Sequence, residues 1–170
     1  MDKSQTLKGS PRKLQTLRGF RDFLPETMII RNKVINTLKE VFESYGFSEL
    51  QTPTLEYADV LKGKYGTEAE KLMYLFKDQG GREVGLKYDL TVPLARVMST
   101  YPNLPLPFKR YQIQPAFRAE NPQKGRYREF FQCDIDTVGS ASPLADAEIL
   151  AVISDSLTAL GFREFIIRLN

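Results

Sequence analysis

Residues 129–138 read Glu-Phe-Phe-Gln-Cys-Asp-Ile-Asp-Thr-Val. A strand turns alternate side chains to opposite faces. One face would carry Phe131, Cys133 and Ile135, which we take as the core side, leaving Cys133 inert. The other would carry Phe130, Gln132, Asp134 and Asp136. That polar face could simply meet bulk water. It could also hold a ligand with an aromatic base and an amine, since an aromatic ring there stands beside a carboxamide and two carboxylates. The preceding stretch has the opposite charge. Residues 109–128 contain Lys109, Arg110, Arg118, Lys124, Arg126 and Arg128 against the single acid Glu120, a net of +5. Six cations at one hairpin repel each other, so an anionic ligand explains them better than stability does. Guanidinium forks match phosphate oxygens, and a nucleic-acid backbone is the competing partner.

Composition narrows the chemistry. The chain has 170 residues, one cysteine and no histidine. Catalysis by Ser-His-Asp or Cys-His is excluded, as are an internal disulfide and the Cys- or His-based metal sites. What remains is chemistry by carboxylates, Arg, Lys and backbone groups, or by a metal held by oxygen, and no residue is singled out as a metal ligand. No GxxxxGK[ST] or GxGxxG occurs, so neither a P-loop nor a Rossmann site is expected. An apolar share of 42% and a charged share of 26% fit a soluble globular domain. No membrane span or signal peptide is visible, which points to the cytoplasm and a reduced thiol. Net charge is +3. Residues 1–18 hold Lys3, Lys8, Arg12, Lys13 and Arg18 against Asp2, and residues 1–13 read as a basic flexible arm. Such an arm can be a solvated tail or a contact for a polyanion.

The elements that must position these groups follow from periodicity. Ile30, Val34, Leu38, Val41 and Tyr45 recur at helical spacing between Pro25 and Gly46, which predicts an amphipathic helix. Residues 47–57 read as extended, with Pro53 marking an edge, a bulge or an interface. Residues 58–84 read as a long, partly mobile excursion holding a short hairpin. A strand at 84–88 precedes a helix from Thr91 to Met98, which Asp89 could cap. Residues 107–118 and 127–138 form a hairpin. Ser142 and Pro143 open a second helix, with Leu150, Ile153, Leu157 and Leu160 on its buried face and Gly161 at its end. Residues 162–169 read as a further strand. Helices and hairpins alternate without βαβ spacing, so the fold class is α+β, with a mainly antiparallel sheet flanked by helices.

Four segments carry a family resemblance. Phe117-Arg118-Ala119-Glu120, a loop, then Gly125-Arg126-Tyr127-Arg128-Glu129-Phe130-Phe131-Gln132 resembles motif 2 of class II aminoacyl-tRNA synthetases, most closely the histidyl-tRNA synthetases. Arg18-Gly19-Phe20-Arg21-Asp22-Phe23-Leu24-Pro25 resembles that family's opening. Gly46-Phe47 through Pro53-Thr54-Leu55-Glu56 resembles motif 1. Leu86-Lys87-Tyr88-Asp89-Leu90-Thr91-Val92-Pro93-Leu94-Ala95-Arg96 resembles its histidine-binding stretch.

The resemblance implies ATP-dependent activation of histidine and its transfer to tRNA(His). Arg118 would be catalytic, on the ATP α-phosphate. Glu120 would meet the adenine amino group, Phe130 would stack on adenine, and Arg126 would hold the γ-phosphate end. Asp89, Thr91 and Gln132 would take the α-amino group of histidine and Asp136 its imidazole. Magnesium would bridge the phosphates, and Pro53 would lie at a homodimer interface. Residues 14–170 would be an incomplete class II catalytic core, with motif 3 and an anticodon-binding domain expected elsewhere. The chain alone would then be inactive or very weak. Alternatives stay open. Arg118 could merely pair with Glu120, Asp134 is left outside the ligand shell, and the chain could be a non-catalytic paralogue serving as regulatory subunit of ATP phosphoribosyltransferase.

Overall fold

The structure is a computed structural model that describes residues 14–62 and 70–169. The expected arm at residues 1–13, and part of the expected mobile excursion, lie outside the described residues.

Helix α1 runs Pro25–Ser44. Pro25 opens it, where a missing N–H costs nothing, and Glu26 lies in the first turn, at the positive end of the helix dipole. Two short strands follow, β1 (Ser48–Glu49) and β2 (Leu55–Tyr57). Next come helix α2 (Ala58–Lys62) and a hairpin of β3 (Leu75–Lys77) and β4 (Glu83–Leu86). Helix α3 spans Thr91–Thr100. The long ribbon is β5 (Phe108–Phe117) and β6 (Glu129–Val138). Helix α4 spans Pro143–Ala159, its Ser142 side chain accepting from the Leu144 N–H at 3.3 Å.

These strands form two three-stranded sheets, in the orders β1-β5-β6 and β2-β4-β3. The fold is α+β, as expected. One pairing departs from the antiparallel rule, since β1 runs parallel to β5, with Ser48 opposite Arg110. Pro53 lies in the link between β1 and β2, outside both ladders. The main core sits between the ribbon and helices α1 and α4: Phe42, Phe47, Tyr111 and Val152 are buried, with Ile113, Ile135 and Ile149 packed on them. Removing a ring such as Phe42 from such a site costs about 3–5 kcal/mol. A smaller cluster of Leu61, Met73 and Val92 holds the second sheet to α2 and α3. There Gly85 permits a close approach: a Cβ on it would lie 2.7 Å from Leu75 Cδ2 and 2.9 Å from the Tyr74 carbonyl.

Three expectations change. Residues 162–169 form no strand and expose Ile166 and Leu169. Their alternating pattern suits a ladder, but no described strand pairs with them. Helix α4 buries Val152 and Ser156 rather than the face of Leu150, Ile153, Leu157 and Leu160, and Ile153 is exposed. Its apolar side chains are spread round the helix among Asp146, Glu148 and Asp155, so periodicity alone could not choose its inner face. Helix α1 buries only Phe42, and Ile30 and Val34 are exposed.

Candidate active site

Ribbon register organises the site. Arg110 stands opposite Asp136, Gln112 opposite Asp134, and Gln114 opposite Gln132. By strand alternation all six share one face, with Ala116 and Phe130 continuing it towards the loop. The reverse face carries Tyr111, Ile113 and Ile135 into the core. Cys133 lies on that reverse face yet is exposed, which corrects the expectation of a buried position. Its desolvated surroundings push the thiol up to about 11, with the Asp134 charge adding to the effect, so it is not a ready nucleophile.

The acidic end is held by a cation that the charge count assigned to phosphate. Arg110 is fully buried, and its Nη2 lies 2.6 Å from Asp136 Oδ2. That contact is an ion pair by distance rather than a directed hydrogen bond, and Nε has no hydrogen-bond partner. Nη1 donates to Gln112 Oε1 at 3.3 Å. Burial pulls the guanidinium below its ordinary value, and the charges of Asp136, Asp134 and Asp89 push it back up. Asp134 is raised by burial and by Asp136 and Asp89, and lowered by Arg110 and Arg118. Asp134, left outside by the sequence reading, therefore belongs to the same electrostatic cluster. Lys109 is also no phosphate ligand here: its ammonium bonds to the Tyr45 carbonyl and to Glu148 at 2.7 Å. The cationic surface available to an anion shrinks to residues 118–128.

Arg118 leaves β5 at the start of that loop. Its Nε donates to the Tyr88 carbonyl at 3.3 Å, and its guanidinium carbon lies 4.5 Å from the Tyr88 ring centre and 5.0 Å from that of Phe130. Glu120 pairs with Arg126 at 3.3 Å, not with Arg118. The tip is a tight turn in which Gln123 and Arg126 exchange backbone hydrogen bonds at 3.1 and 2.9 Å. Asp89 precedes α3, where one carboxylate oxygen accepts from the Val92 N–H at 3.1 Å. The capping alternative is thus realised for that oxygen. Thr91, the first residue of α3, is exposed. Gln132 Oε1 is buried and has no hydrogen-bond partner.

Sequence reasoning missed two supports. Arg128 ties the loop down: its Nε donates to the Glu120 carbonyl at 2.9 Å, and its backbone N–H to the Gly19 carbonyl at 2.8 Å. Gly19 has φ of +89°, and a Cβ there would lie 2.8 Å from Arg128 Cγ. Arg21 stacks on Tyr127 at 3.3 Å, and Arg31 on Phe131 at 3.9 Å. The motif-like run at residues 18–25 thus braces the loop. The second support is Lys87, fully buried. Arg128 and Lys87 both fall in runs that the resemblance picked out, but nothing in those runs shows these contacts. A concavity of about 790 Å³ lies elsewhere, beside Pro53, Leu55, Tyr57 and Tyr101.

A polar-faced antiparallel ribbon, backed by two helices and ending in an arginine-bearing loop, is an α+β framework that matches solved histidyl-tRNA synthetases. The comparisons agree. The family model described as histidyl-tRNA synthetase matches residues 19–170, and the chain belongs to that family. It is 57% identical to the histidine–tRNA ligase of Aeropyrum pernix over 155 residues, which is 90% of this chain and 36% of the relative. It is 51% identical to that of Rhodopirellula baltica over 157 residues, 92% of this chain and 36% of the relative. The chain thus spans little more than a third of these curated relatives. The histidyl-tRNA synthetase of Nostoc sp. PCC 7120 superposes with a TM-score of 0.76 at 36% identity, covering 86% of this chain and 34% of that one. A Bacillus halodurans C structure titled ATP phosphoribosyltransferase regulatory subunit/histidyl-tRNA synthetase gives a TM-score of 0.80 at 25% identity, covering 92% of this chain and 40% of that one.

Proposed function

We propose that this chain carries the motif 1 and motif 2 part of an enzyme that activates histidine with ATP and transfers it to tRNA(His). One observation carries the reading. A single face of the ribbon runs from a carboxylate cluster with an unpartnered amide oxygen at Gln132 to a loop bearing Arg118 and Arg126. The first end suits an ammonium and the second a polyphosphate.

In the reaction a carboxylate oxygen of histidine attacks the α-phosphorus. The bond to pyrophosphate breaks, and pyrophosphate leaves with that electron pair. Both reactants are anionic, so the protein must place positive charge between them and hold them in line. Arg118 is the catalytic residue in this reading, on the α-phosphate beside the Phe130 ring that stacks adenine. ATP would exchange the Glu120–Arg126 pair for two contacts, its γ-phosphate taking Arg126 and its adenine amino group taking Glu120. Asp89, Thr91 and Gln132 would receive the α-ammonium. Asp136, fixed by Arg110, would keep an oxygen for the imidazole. Among the described residues no group of three His, Cys, Asp or Glu side chains could hold a metal. We assign Mg2+ to the phosphates, with no step derived through it.

We further assign residues 14–170 to an incomplete catalytic domain and residues 1–13 to a basic arm. The cleft beside Pro53 and the exposed Ile29, Ile30 and Val34 of α1 support a homodimer interface. No described helix is long and apolar enough to cross a membrane, and we assign the chain to the cytoplasm. The competing reading, a regulatory subunit of ATP phosphoribosyltransferase, has the likeness to the Bacillus halodurans C structure in its favour. The 57% identity to a ligase and the retained Arg118, Glu120, Arg126 and Phe130 favour the enzyme.

Thermal shift with ATP, histidine and magnesium, singly and together, tests the proposal. Ligands that bind only the native state raise its stability. The combination is expected to raise Tm, and Arg118→Ala to abolish the ATP part. No shift with any ligand would sink it.

A further inference from the structure

Asp134 sits on β6 between two residues already placed at the substrate end. Strand spacing puts it about 7 Å from Gln132 on one side and from Asp136 on the other, all on one face. It is half-buried, and among the described residues no donor bonds to its carboxylate. The reason lies across the ladder. Gln112 stands directly opposite Asp134 and is fully buried, the natural place for a cross-strand donor. Both of its amide protons are taken instead, by Thr52 Oγ1 at 2.8 Å and by Gln114 Oε1. Its oxygen accepts from Arg110 Nη1 at 3.3 Å, so a flip would set its amino group against the guanidinium. Lys87 Nζ closes this network from behind, 3.0 Å from Gln114 Oε1 and 3.3 Å from the Thr52 carbonyl. Arg110 in turn sets Nη2 2.6 Å from Asp136 Oδ2. The two neighbours that could satisfy Asp134 are thus committed elsewhere.

Charge at this end is also unbalanced. Burial and the charges of Asp136 and Asp89 push the Asp134 carboxyl up, against the pull of Arg110 and Arg118. Arg118 is turned to the Tyr88 carbonyl at the phosphate end, which leaves Arg110 shared among three carboxylates. Carboxylates left unpaired in a half-buried face are costly, and a ligand bringing two positive charges would match them. Histidine with its ring protonated brings two, the ammonium and the imidazolium. The spacing fits as well. Two hydrogen bonds of about 2.8 Å on either side of an imidazole ring span close to the Asp134–Asp136 separation. Gln132 Oε1, buried and without a partner, continues the line towards the ammonium.

We propose that Asp134 is a substrate-binding residue: with Asp136 it takes the two ring nitrogens of histidine, so this face binds the imidazole carrying a proton on each. This rests on the reading that the Gln132 face binds histidine and deepens it, since a neutral ring offers a single N–H and could satisfy only one carboxylate.

The test uses the 170-residue chain, histidine labelled with nitrogen-15 in its ring, and Asp134→Asn. Ligand NMR near neutral pH is expected to show both ring nitrogens protonated in the bound state, although free histidine loses its second ring proton at about pH 6.5. In calorimetry, wild-type affinity should be about 20-fold higher at about pH 6 than at about pH 8, the ratio of protonated ring in free histidine at those values. Besides Asp136, the charged groups facing Asp134 are Arg110 from β5, Asp89 ahead of α3 and Arg118 at the start of the loop; Gln112 and Gln132 are neutral. Asp134→Asn keeps the shape and removes a repelling charge, so Tm should hold or rise. Its histidine affinity at the lower pH should fall roughly tenfold, and its preference for low pH should shrink. A neutral ring bound to the wild type would overturn the proposal, as would Asp134→Asn binding histidine with unchanged affinity and pH dependence. If that variant fails to fold, the ring signals on the wild type decide alone. A wild type that binds no histidine at any pH would defeat the reading of the face and this proposal with it, whereas either of the first two outcomes in a histidine-binding wild type defeats this proposal only.

Discussion

At one end of the β5–β6 ribbon, Arg110 is fully buried and its acidic partner Asp136 is about one-third exposed. At the other, Arg126 is 61% exposed and holds Glu120 at a longer 3.3 Å. Both are arginine–carboxylate pairs in one hairpin. The first has its partner locked by strand register and packing. The second hangs on a turn whose tip, Gly125, has φ of +80° and nothing within 4 Å of a built Cβ. An interior pair cannot be broken cheaply, whereas a surface pair can exchange partners at almost no cost. One end therefore suits holding a carboxylate still, the other suits letting a ligand in.

Three substitutions probe that contrast. Arg110→Met should have the largest effect, since it leaves Asp136, Asp134 and Asp89 without their shared cation. A loss of about 3–5 kcal/mol is expected, read by urea unfolding, and Arg110→Met with Asp136→Leu should recover most of it. A loss under about 1 kcal/mol would place the two ends on the same footing. Gly19→Ala comes next. It must adopt positive φ and push Arg128 aside, at a cost of about 1–3 kcal/mol. Hydrogen exchange should show residues 119–128 loosened, with β6 beyond Gln132 unchanged. Equal loosening at both ends would mean the loop and the ribbon move as one body. Glu120→Gln should change stability least, within about 1 kcal/mol, and that small change should fade in high salt.

How much was readable beforehand varied by residue for physical reasons. The ribbon was legible because period-2 runs flank a Pro- and Gly-bearing loop, and its strands end within two residues of the expected limits. Counting outward from Phe117 opposite Glu129 would have set Arg110 against Asp136. Summing charges instead placed Arg110 and Lys109 with the phosphates. Residues 162–169 misled because alternation is necessary for a strand but pairing makes one. Lys87 was invisible: a lysine in sequence looks like surface, and only three converging segments bury it. The roles proposed for Arg118, Glu120, Arg126 and Phe130 rest on the family resemblance, whereas the brace from Gly19 to Arg128 depends on a left-handed backbone that sequence shows only as a glycine.

The uninterrupted β6 strand also acts as a ruler. Phe130 and Asp136 are six residues apart on one face, and at about 3.4 Å per residue the strand holds them roughly 20 Å apart. No hinge lies between them. Inserting one residue would turn every later side chain to the wrong face. Inserting two would keep the faces but lengthen the gap by about 7 Å. The span between the two ends is thus written in residue count, and the helices behind need only keep the ruler straight.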